Sequence, residues 1–338
     1  YAQLRAKGPV VRTRHCPNLK DEDGAEGERS VRDVLFVGQY DAATEALVDP
    51  RLSSDPFVLL SAAARERLPP IPAEVRPIVE SIIMRDPPDH TRLRALISRS
   101  FTPQLIAALQ PGVERLIDEL LAQALAAGEI DLIADFAYPL PVLVIAEILG
   151  VPAVERELLR GWSRQLTEAV QHTRLLAAGE GVNTAALARA DEVAAAFGDY
   201  LWTRIEARRR APGDDLLSAL IAAEAAGDRL SRQELISTCA LLLLAGHETT
   251  MNLIGNGMLA LLRHREQRAL LADPSLWGGA VEELLRFDSP VQLTVRELLE
   301  PVELAGRSLA RGDEALILLG AANRDPARYE RPDELDLL

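Results

Sequence analysis

Apolar residues recur every three or four positions through the middle of the chain, whereas short aliphatic runs stand near its two ends. Residues 89–271 keep the helical spacing, and their richness in alanine and leucine agrees with it. Within them, residues 136–149 predict a helix that Pro139 and Pro141 interrupt and Gly150 ends. Three short runs predict strands: residues 34–37, 302–304 and 314–319. The chain is therefore predicted to be mainly α, with a small β region built from both of its ends.

The starts of two helices are marked by their capping residues. Thr102 is followed by Pro103, which predicts an N-cap and a first helical residue. Ser231 and Glu234 have the spacing of a capping box, and no stop signal follows for about 30 residues. The pattern predicts one long central helix over about residues 231–263, roughly 48 Å long at 1.5 Å per residue.

The composition limits the classes of protein that this sequence can represent. The 338 residues hold 37 lysines and arginines against 51 aspartates and glutamates, a formal net charge of −14. Nucleic acids and anionic membranes attract basic surfaces, so neither is predicted as a partner. The apolar stretches are shorter than the roughly 20 residues of a membrane span, and the first residues lack the apolar core of a signal peptide. A cytoplasmic enzyme or binding protein is therefore predicted.

Four polar residues interrupt the apolar pattern of the long helix at residues 245–250. Gly246 is unfavourable in a helix interior by about 1 kcal/mol relative to alanine, but it lets a flat ligand approach the backbone. Burying Glu248 without a partner would cost several kcal/mol. The hydroxyl of Thr249 can bond to the carbonyl of Ala245 and bend the helix. These features predict a notch with an acid and an alcohol beside it; the alternative is a polar patch where two helices cross.

Two further pairs carry charge at helical spacing. His90 and Arg94 are four residues apart and would share one helix face, where they could clamp a carboxylate or phosphate. The alternative is a solvated basic face at a helix start. Glu283 and Arg286 are three residues apart, a spacing that is common and weak on protein surfaces. A further cation, Arg296, follows in an extended segment.

With these residues in their order, the chain resembles the cytochrome P450 family, and among its members the soluble actinobacterial type that tailors macrolides and other natural products. The resemblance covers nearly the whole chain and implies the cytochrome P450 fold. Its motif of highest specificity is the turn at residues 245–250, which resembles the oxygen-activating motif of the family's long central helix. The other matching segments are residues 49–55, 86–94, 283–286, 296 and 320–326.

The resemblance implies haem b as the cofactor and gives roles to individual residues. Cofactor contacts fall on His90, Arg94, Ala245, Gly246, Thr249 and Arg296, of which the three cations would bind the propionates. Thr249 would donate a hydrogen bond to O2, and Glu248 would relay protons from water. Glu283 and Arg286 would be a structural pair. Many relatives have an arginine at the position of Glu334 that completes a network with this pair, so the resemblance leaves that network open here.

The implied activity is that of a monooxygenase, which inserts one atom of O2 into an apolar organic substrate by hydroxylation or epoxidation in natural-product metabolism. Electrons from NAD(P)H would arrive through a separate ferredoxin and ferredoxin reductase. The substrate would contact residues 56–83, 155–190 and 291–293, which are mostly apolar.

The family's axial iron ligand is a cysteine thiolate, and neither Cys16 nor Cys239 matches its position. The resemblance therefore implies a single domain over residues 1–338 that is incomplete at both ends, with the axial cysteine expected beyond Leu338. Two alternatives remain at this point. One is a haem-free homologue that stabilises a glycosyltransferase, as some relatives without the thiolate loop do. The other is a plain helical binding module, which would leave the notch and the cationic pair unexplained.

Overall fold

The computed structural model describes residues 2–15, 32–61, 76, 80–165, 184–225 and 228–338. These belong to two compact units, one made of residues 1–67 with 253–338 and the other of residues 68–252. The single domain predicted above stays a prediction. Among the described residues, no helix is both long enough and apolar enough to span a membrane.

Helices account for most of the described chain, as the sequence predicts. The α-helices are α1 (Ala2–Arg5), α2 (Tyr40–Val48), α3 (Asp89–Ser100), α4 (Pro103–Ala127), α5 (Pro139–Ile148), α6 (Thr184–Arg210), α7 (Leu216–Ala222), α8 (Arg232–Arg263), α9 (Arg265–Leu270), α10 (Trp277–Phe287) and α11 (Leu319–Ala322). The strands are β1 (Val10–His15), β2 (Arg32–Val37), β3 (Leu52–Ser53), β4 (Glu224–Ala225), β5 (Asp228–Arg229), β6 (Thr294–Leu298), β7 (Val302–Leu304), β8 (Arg307–Leu309) and β9 (Glu314–Ile317). Residues 156–165 are also helical.

The unit formed by the two ends of the chain contains a five-stranded sheet in the order β1-β2-β9-β6-β3. Strand β2 pairs in parallel with β9, so that Val34 lies opposite Glu314, and the other pairings are antiparallel. Its core includes Leu35, Val37 and Ile317, which are almost fully buried. The prediction of a small β region built from both ends of the chain is thereby confirmed.

The second unit is helical and holds the largest apolar cluster. Its most deeply buried side chains come from α3, α5, α6, α7 and the first part of α8, among them Leu96, Val142, Ile205, Leu216, Leu220 and Leu243. A two-stranded ribbon, β4 with β5, precedes α8. Because each helix turns one apolar stripe inward, the spacing of apolar residues in the sequence indicates which faces form this core.

Both predicted helix starts have the geometry that their sequences indicate. The side chain of Thr102 accepts a hydrogen bond from the backbone N–H of Leu105 at 3.1 Å. At the start of α8, Ser231 N–H donates to Glu234 Oε2 at 2.7 Å, and Glu234 N–H donates to Ser231 Oγ at 3.3 Å. This capping box satisfies two backbone donors that a helix start leaves without partners. The long helix then continues unbroken to Arg263.

The two prolines of α5 start the helix, whereas the sequence pattern predicts that they interrupt it. A π-helical turn covers Leu132–Ala137, and α5 begins at Pro139 with Pro141 still in its first turn. Backbone N–H groups in a first turn have no partner within the helix, so proline is tolerated there.

One glycine of α4 makes room for an acidic side chain of α5. A Cβ on Gly112 would lie 1.8 Å from Glu147 Oε1. That carboxylate is held in place by two arginines, with Arg115 Nη2 at 3.0 Å and Arg156 Nη2 at 3.2 Å from Oε2. The absence of a side chain at Gly112 therefore makes room for this bridge.

We expect Gly112→Ala to lower the free energy of unfolding by about 1 kcal/mol, because the methyl group forces Glu147 away from both arginines and outweighs the gain in helix propensity. Gly198→Ala is the matched control, since a Cβ there has no atom within 4 Å and α6 gains up to about 1 kcal/mol of propensity. Urea unfolding of the three proteins checks this. Equal stabilisation by both substitutions would contradict it.

Candidate active site

In the polar turn of α8, residues 245–250, both threonine hydroxyls form hydrogen bonds with backbone carbonyls of the same helix. Thr249 Oγ1 donates to the carbonyl oxygen of Ala245 at 2.9 Å, as the sequence predicts, and Thr250 Oγ1 donates to that of Gly246 at 2.8 Å. The side chain of Glu248 is half-buried and, among the described residues, takes part in no hydrogen bond or ion pair. An alcohol and an ionisable acid therefore stand on adjacent positions with their outer atoms available.

The packing of α5 against α8 requires a glycine at position 246, which the sequence does not reveal. A Cβ at this position would lie 3.1 Å from Ile145 Cδ1 of α5, which is tighter than ordinary van der Waals contact. Ala245, one position earlier, is exposed. The glycine thus permits the close approach of α5 to α8, whatever contact Gly246 makes with a ligand.

His247 is the buried member of the turn, with only 1% of its surface exposed. Its Nδ1 lies 2.7 Å from the carbonyl oxygen of Leu243 and therefore carries the proton. Ser163 Oγ lies 3.4 Å from both ring nitrogens, and of the two only Nε2 can accept its proton. The ring of Tyr138 meets the imidazole edge-on at 5.7 Å between centroids. This cluster was not predicted from the sequence, where its one signal is a histidine four residues after Leu243 in an apolar stretch.

His90 and Arg94 lie on α3, four residues apart on one helix face, as predicted. His90 is half-buried and Arg94 is exposed. Among the described residues, neither side chain has a hydrogen-bond or ion-pair partner. The pair therefore places an imidazole and a guanidinium on one helix face, and among the described residues their capacity to bind a carboxylate or phosphate is unused.

Arg92 lies between these two residues in the sequence but, unlike them, forms ion pairs with two acidic residues. Its Nη1 contacts Asp228 Oδ2 at 3.0 Å, and its Nη2 contacts Glu234 Oε1 of the capping box. Burial raises the pKa of Glu234, but the bonds from Arg92 and Ser231 outweigh it and hold that pKa below its usual value. Arg92 thus ties α3 to the start of α8, which the sequence pattern does not show.

The predicted structural pair forms a two-bond ion pair on α10. Arg286 Nε lies 2.6 Å from Glu283 Oε2, and Arg286 Nη2 lies 2.8 Å from Glu283 Oε1. The guanidinium also donates to the carbonyl oxygens of Asn323 at 2.9 Å, Pro332 at 2.8 Å and Glu334 at 2.8 Å. This arginine therefore ties the last described segment of the chain to α10.

The carboxylate of Glu334 lies outside this network. It accepts a hydrogen bond from Arg331 at 2.9 Å, and Arg331 also contacts Asp336 at 2.7 Å. The backbone N–H of Asp336 donates to Glu283 at 2.9 Å. Main-chain atoms thus complete the network around Glu283 and Arg286, and no arginine at position 334 is needed for it.

Arg296 lies on β6, in the unit that also holds Glu283 and Arg286. Its Nη1 donates to Thr294 Oγ1 at 3.0 Å and to the carbonyl oxygen of Val295 at 2.8 Å. The other predicted cofactor contacts belong to the unit of residues 68–252, where His90 and Arg94 are on α3 and residues 245–249 on α8. That all six of these residues contact one cofactor stays a prediction.

No described residue provides a thiolate or a metal cage. Cys239 is fully buried on α8, and this burial raises the pKa of its thiol to about 12, so it stays protonated at neutral pH. Within the described ranges, no group of three or more histidine, cysteine, aspartate or glutamate side chains could hold a metal ion. Cys16 lies outside the described residues.

Comparison with known proteins gives consistent matches over the whole chain. The family model described as Cytochrome P450 matches residues 32–272 and 276–337. The vitamin D(3) 25-hydroxylase of Pseudonocardia autotrophica is 42% identical over 343 residues, 100% of this chain and 76% of that protein. Cytochrome P450 107B1 of Saccharopolyspora erythraea is 40% identical, and the match covers 100% of this chain and 77% of that protein. The structure of the bacillaene polyketide synthase cytochrome P450 PksS from Bacillus subtilis 168 has a TM-score of 0.81 at 31% identity and covers 99% of this chain and 77% of that one.

The buried imidazole of His247 predicts a pH-dependent stability. Burial lowers the pKa of His247, although its bond to Leu243 and the charge of Glu248 act in the opposite direction. Below about pH 6.5 the unfolded chain therefore binds a proton that the folded chain does not, so stability falls by up to about 1.4 kcal/mol per pH unit. Above this pH His247 is neutral in both the folded and the unfolded chain, and its full contribution to the stability of the fold is present.

Urea unfolding at pH 7.5, 6.5 and 5.5 checks this prediction. We expect the stability advantage of the wild type over His247→Gln to shrink as the pH falls, because the variant lacks the titrating ring. His264→Gln, which removes a half-buried imidazole directly after α8, is measured in parallel as the control for the loss of an imidazole. A constant difference between wild type and His247→Gln at the three pH values would show that His247 is not kept neutral by folding.

Proposed function

The chain belongs to the cytochrome P450 family, and from this premise we propose that it hydroxylates or epoxidises a sizeable apolar organic molecule in natural-product metabolism. It is a haem-dependent monooxygenase, as its relatives are. When bound, haem b supplies the activation of O2 from which one oxygen atom is inserted into the substrate. The residues of this chain bind and orient the cofactor, deliver protons and select the substrate.

The observation that carries the proposal is the turn at residues 245–250. The hydroxyl of Thr249 donates its single proton to the carbonyl oxygen of Ala245, four residues earlier, and keeps its lone pairs to accept from a second partner. We assign Thr249 the hydrogen bond to O2, for which the hydroxyl would turn its proton from Ala245 to the oxygen while a lone pair accepts the next proton. Glu248, half-buried and without a partner among the described residues, would take protons from water and pass them to this hydroxyl.

The cations present fit a haem. Haem b carries two propionates, and a carboxylate binds best to cationic donors that no acid already occupies. His90 and Arg94 meet this condition on one face of α3. We assign them to the propionates, and we assign Ala245 and Gly246 to contact with the haem face. The propionate contact of Arg296 on β6 stays a prediction of the family resemblance. The thiolate ligand that the family resemblance implies stays a prediction.

The substrate class rests on apolar side chains after α10. Val291 and Leu293, predicted to line the pocket, are 45% and 41% exposed, and Val295 is 41% exposed. Exposed alternating aliphatic residues of this kind offer an apolar molecule a surface to pack on. Two relatives act in matching contexts by their names, one on vitamin D(3) and one in a polyketide synthase. The predicted ranges 56–83 and 155–190 lie partly outside the described residues.

We propose that a ferredoxin and a ferredoxin reductase carry electrons from NAD(P)H to this chain. Cytochrome P450 enzymes receive electrons from redox proteins, and ferredoxin is the partner that the resemblance implies. The same resemblance, with the acidic charge of the chain, leads us to place the enzyme in the cytoplasm.

The test of the haem assignment is the absorption spectrum of the reduced, CO-bound protein produced from the complete gene. We expect the red-shifted Soret band that thiolate ligation gives. Cys239→Ala is the control and should keep the band, because the buried thiol is not the ligand. Colourless protein that takes up no added haem would contradict the proposal and favour the haem-free glycosyltransferase partner.

We expect Thr249→Ala to lower the ratio of product to NAD(P)H consumed by about tenfold or more, because without the hydroxyl the protons are misdirected and electrons leave as hydrogen peroxide. Thr249→Ser is the matched control, since it keeps the hydroxyl and should keep most of the coupling. Product and peroxide are measured per NAD(P)H in the reconstituted system. An unchanged ratio in the alanine variant would remove the role assigned to Thr249.

A further inference from the structure

The hydroxyl of Ser163 is buried where the helix of residues 156–165 faces the polar turn of α8. Ser163 has no exposed surface. Its Oγ lies 3.4 Å from both ring nitrogens of His247 and has no other polar partner among the described residues. A serine within a helix often bonds to a carbonyl oxygen of its own preceding turn. Here the hydroxyl bonds to a second helix instead, and without that bond it would be buried and unsatisfied, which is unfavourable.

Tyr138 makes a second contact between the same two helices. Its ring stands edge-on to the imidazole of His247, and its hydroxyl donates to the carbonyl oxygen of Arg160 at 3.3 Å. Arg160 and Ser163 are three residues apart, so both contacts reach one turn of the same helix. His247, Ser163 and Tyr138 therefore form one connected group, and all of it belongs to the unit of residues 68–252.

Other contacts already hold the helix of residues 156–165 in place. Arg156 Nη2 lies 3.2 Å from Glu147 Oε2 of α5. The ring of Trp162 packs against that of Tyr200 of α6, with 5.0 Å between centroids. Neither contact involves α8. Removal of the serine hydroxyl therefore leaves this helix attached to α5 and α6 and weakens only its link to the polar turn.

The polar turn is a part of α8 whose orientation the backbone alone does not fix. The hydroxyls of Thr249 and Thr250 bond to carbonyl oxygens four residues earlier, and such bonds compete with the helix and bend it. His247 is the buried member of the turn and directly precedes Glu248. Its ring is therefore the point at which a neighbouring helix can set the orientation of Glu248 and Thr249.

We propose that Ser163 and His247 are positioning residues, whose bond holds the turn in the orientation in which Glu248 and Thr249 pass protons. This role rests on the proposed function and adds to it two residues that act through the turn. Ser163 has no exposed atom with which to contact a substrate. Misplacing a catalytic group by about 1 Å can lower a rate about 100-fold, so the loss of one buried bond has a measurable effect.

Amide hydrogen exchange of the haem-loaded protein tests the link without any substrate. We expect Ser163→Ala to speed the exchange of residues 247–250 by about threefold or more, because the turn loses its anchor. Ser237→Ala is the matched control: Ser237 is a buried serine on α8 whose Oγ has no partner among the described residues, and its loss should change this exchange less than about 1.5-fold. Circular dichroism and the haem spectrum check that both variants are folded.

Coupling of electrons to product tests the role in the reaction, with vitamin D(3) as the apolar probe in the reconstituted system. We expect Ser163→Ala to lower the product per NAD(P)H about threefold and to change the KM for the probe less than about twofold. In the Thr249→Ala background the same substitution should change the ratio less than about 1.5-fold, because the group that it positions is gone. Ser237→Ala should leave the ratio unchanged in both backgrounds.

Three results would overturn the role of Ser163 and His247 alone. They are unchanged exchange in Ser163→Ala, an unchanged ratio of product to NAD(P)H in that variant, or an equal loss in both backgrounds, which would indicate an effect that bypasses the turn. A ratio that Thr249→Ala itself leaves unchanged would be a different failure. It would remove the proposed proton delivery by the turn, and the positioning role would fall with it.

Discussion

The long helix α8 has to carry polar side chains through a mostly apolar environment, and it does so by satisfying each donor within one turn of itself. The hydroxyls of Thr249 and Thr250 and the imidazole Nδ1 of His247 all donate to carbonyl oxygens four residues earlier. An unsatisfied buried polar group costs about 1–3 kcal/mol, so the bond of His247 to Leu243 decides whether this buried side chain is tolerated, whereas the two threonine bonds are exposed. They also leave Glu248 as the one side chain of the turn with an unused ionisable group among the described residues.

A second constraint is the pairing of basic side chains with carboxylates. Basic residues with such partners stabilise the fold, and those without them can bind ligands. Arg92 and Arg286 are each bound to carboxylates and, in the case of Arg286, to three main-chain carbonyls, which fixes the start of α8 and the last described segment. His90 and Arg94 have no such partners in the described chain. In an acidic protein, cations left without acids are the natural sites for anionic groups, which is why the propionates are assigned there.

Much of the fold could be predicted from the sequence, because its signals are local. The strand runs, the capping box of Ser231 with Glu234 and the extent of α8 were confirmed with boundaries within two residues. The prolines of α5 were misjudged because proline starts a helix or breaks one according to its position in the turn, and apolar spacing alone does not give that position. The bond from Thr249 to Ala245 was predictable because both ends lie on one helix.

The sequence by itself determined the long helix α8, the three predicted strands, the polar turn of α8 and the pair His90 and Arg94, since each depends on residues within a few positions of one another. Only the tertiary structure decided that Ser163 and Tyr138 meet His247, that Ile145 requires Gly246, and that main-chain carbonyls complete the network of Arg286. These contacts join residues far apart in the chain. Their partners are chosen by how helices and segments pack, and no spacing rule along the sequence encodes that choice.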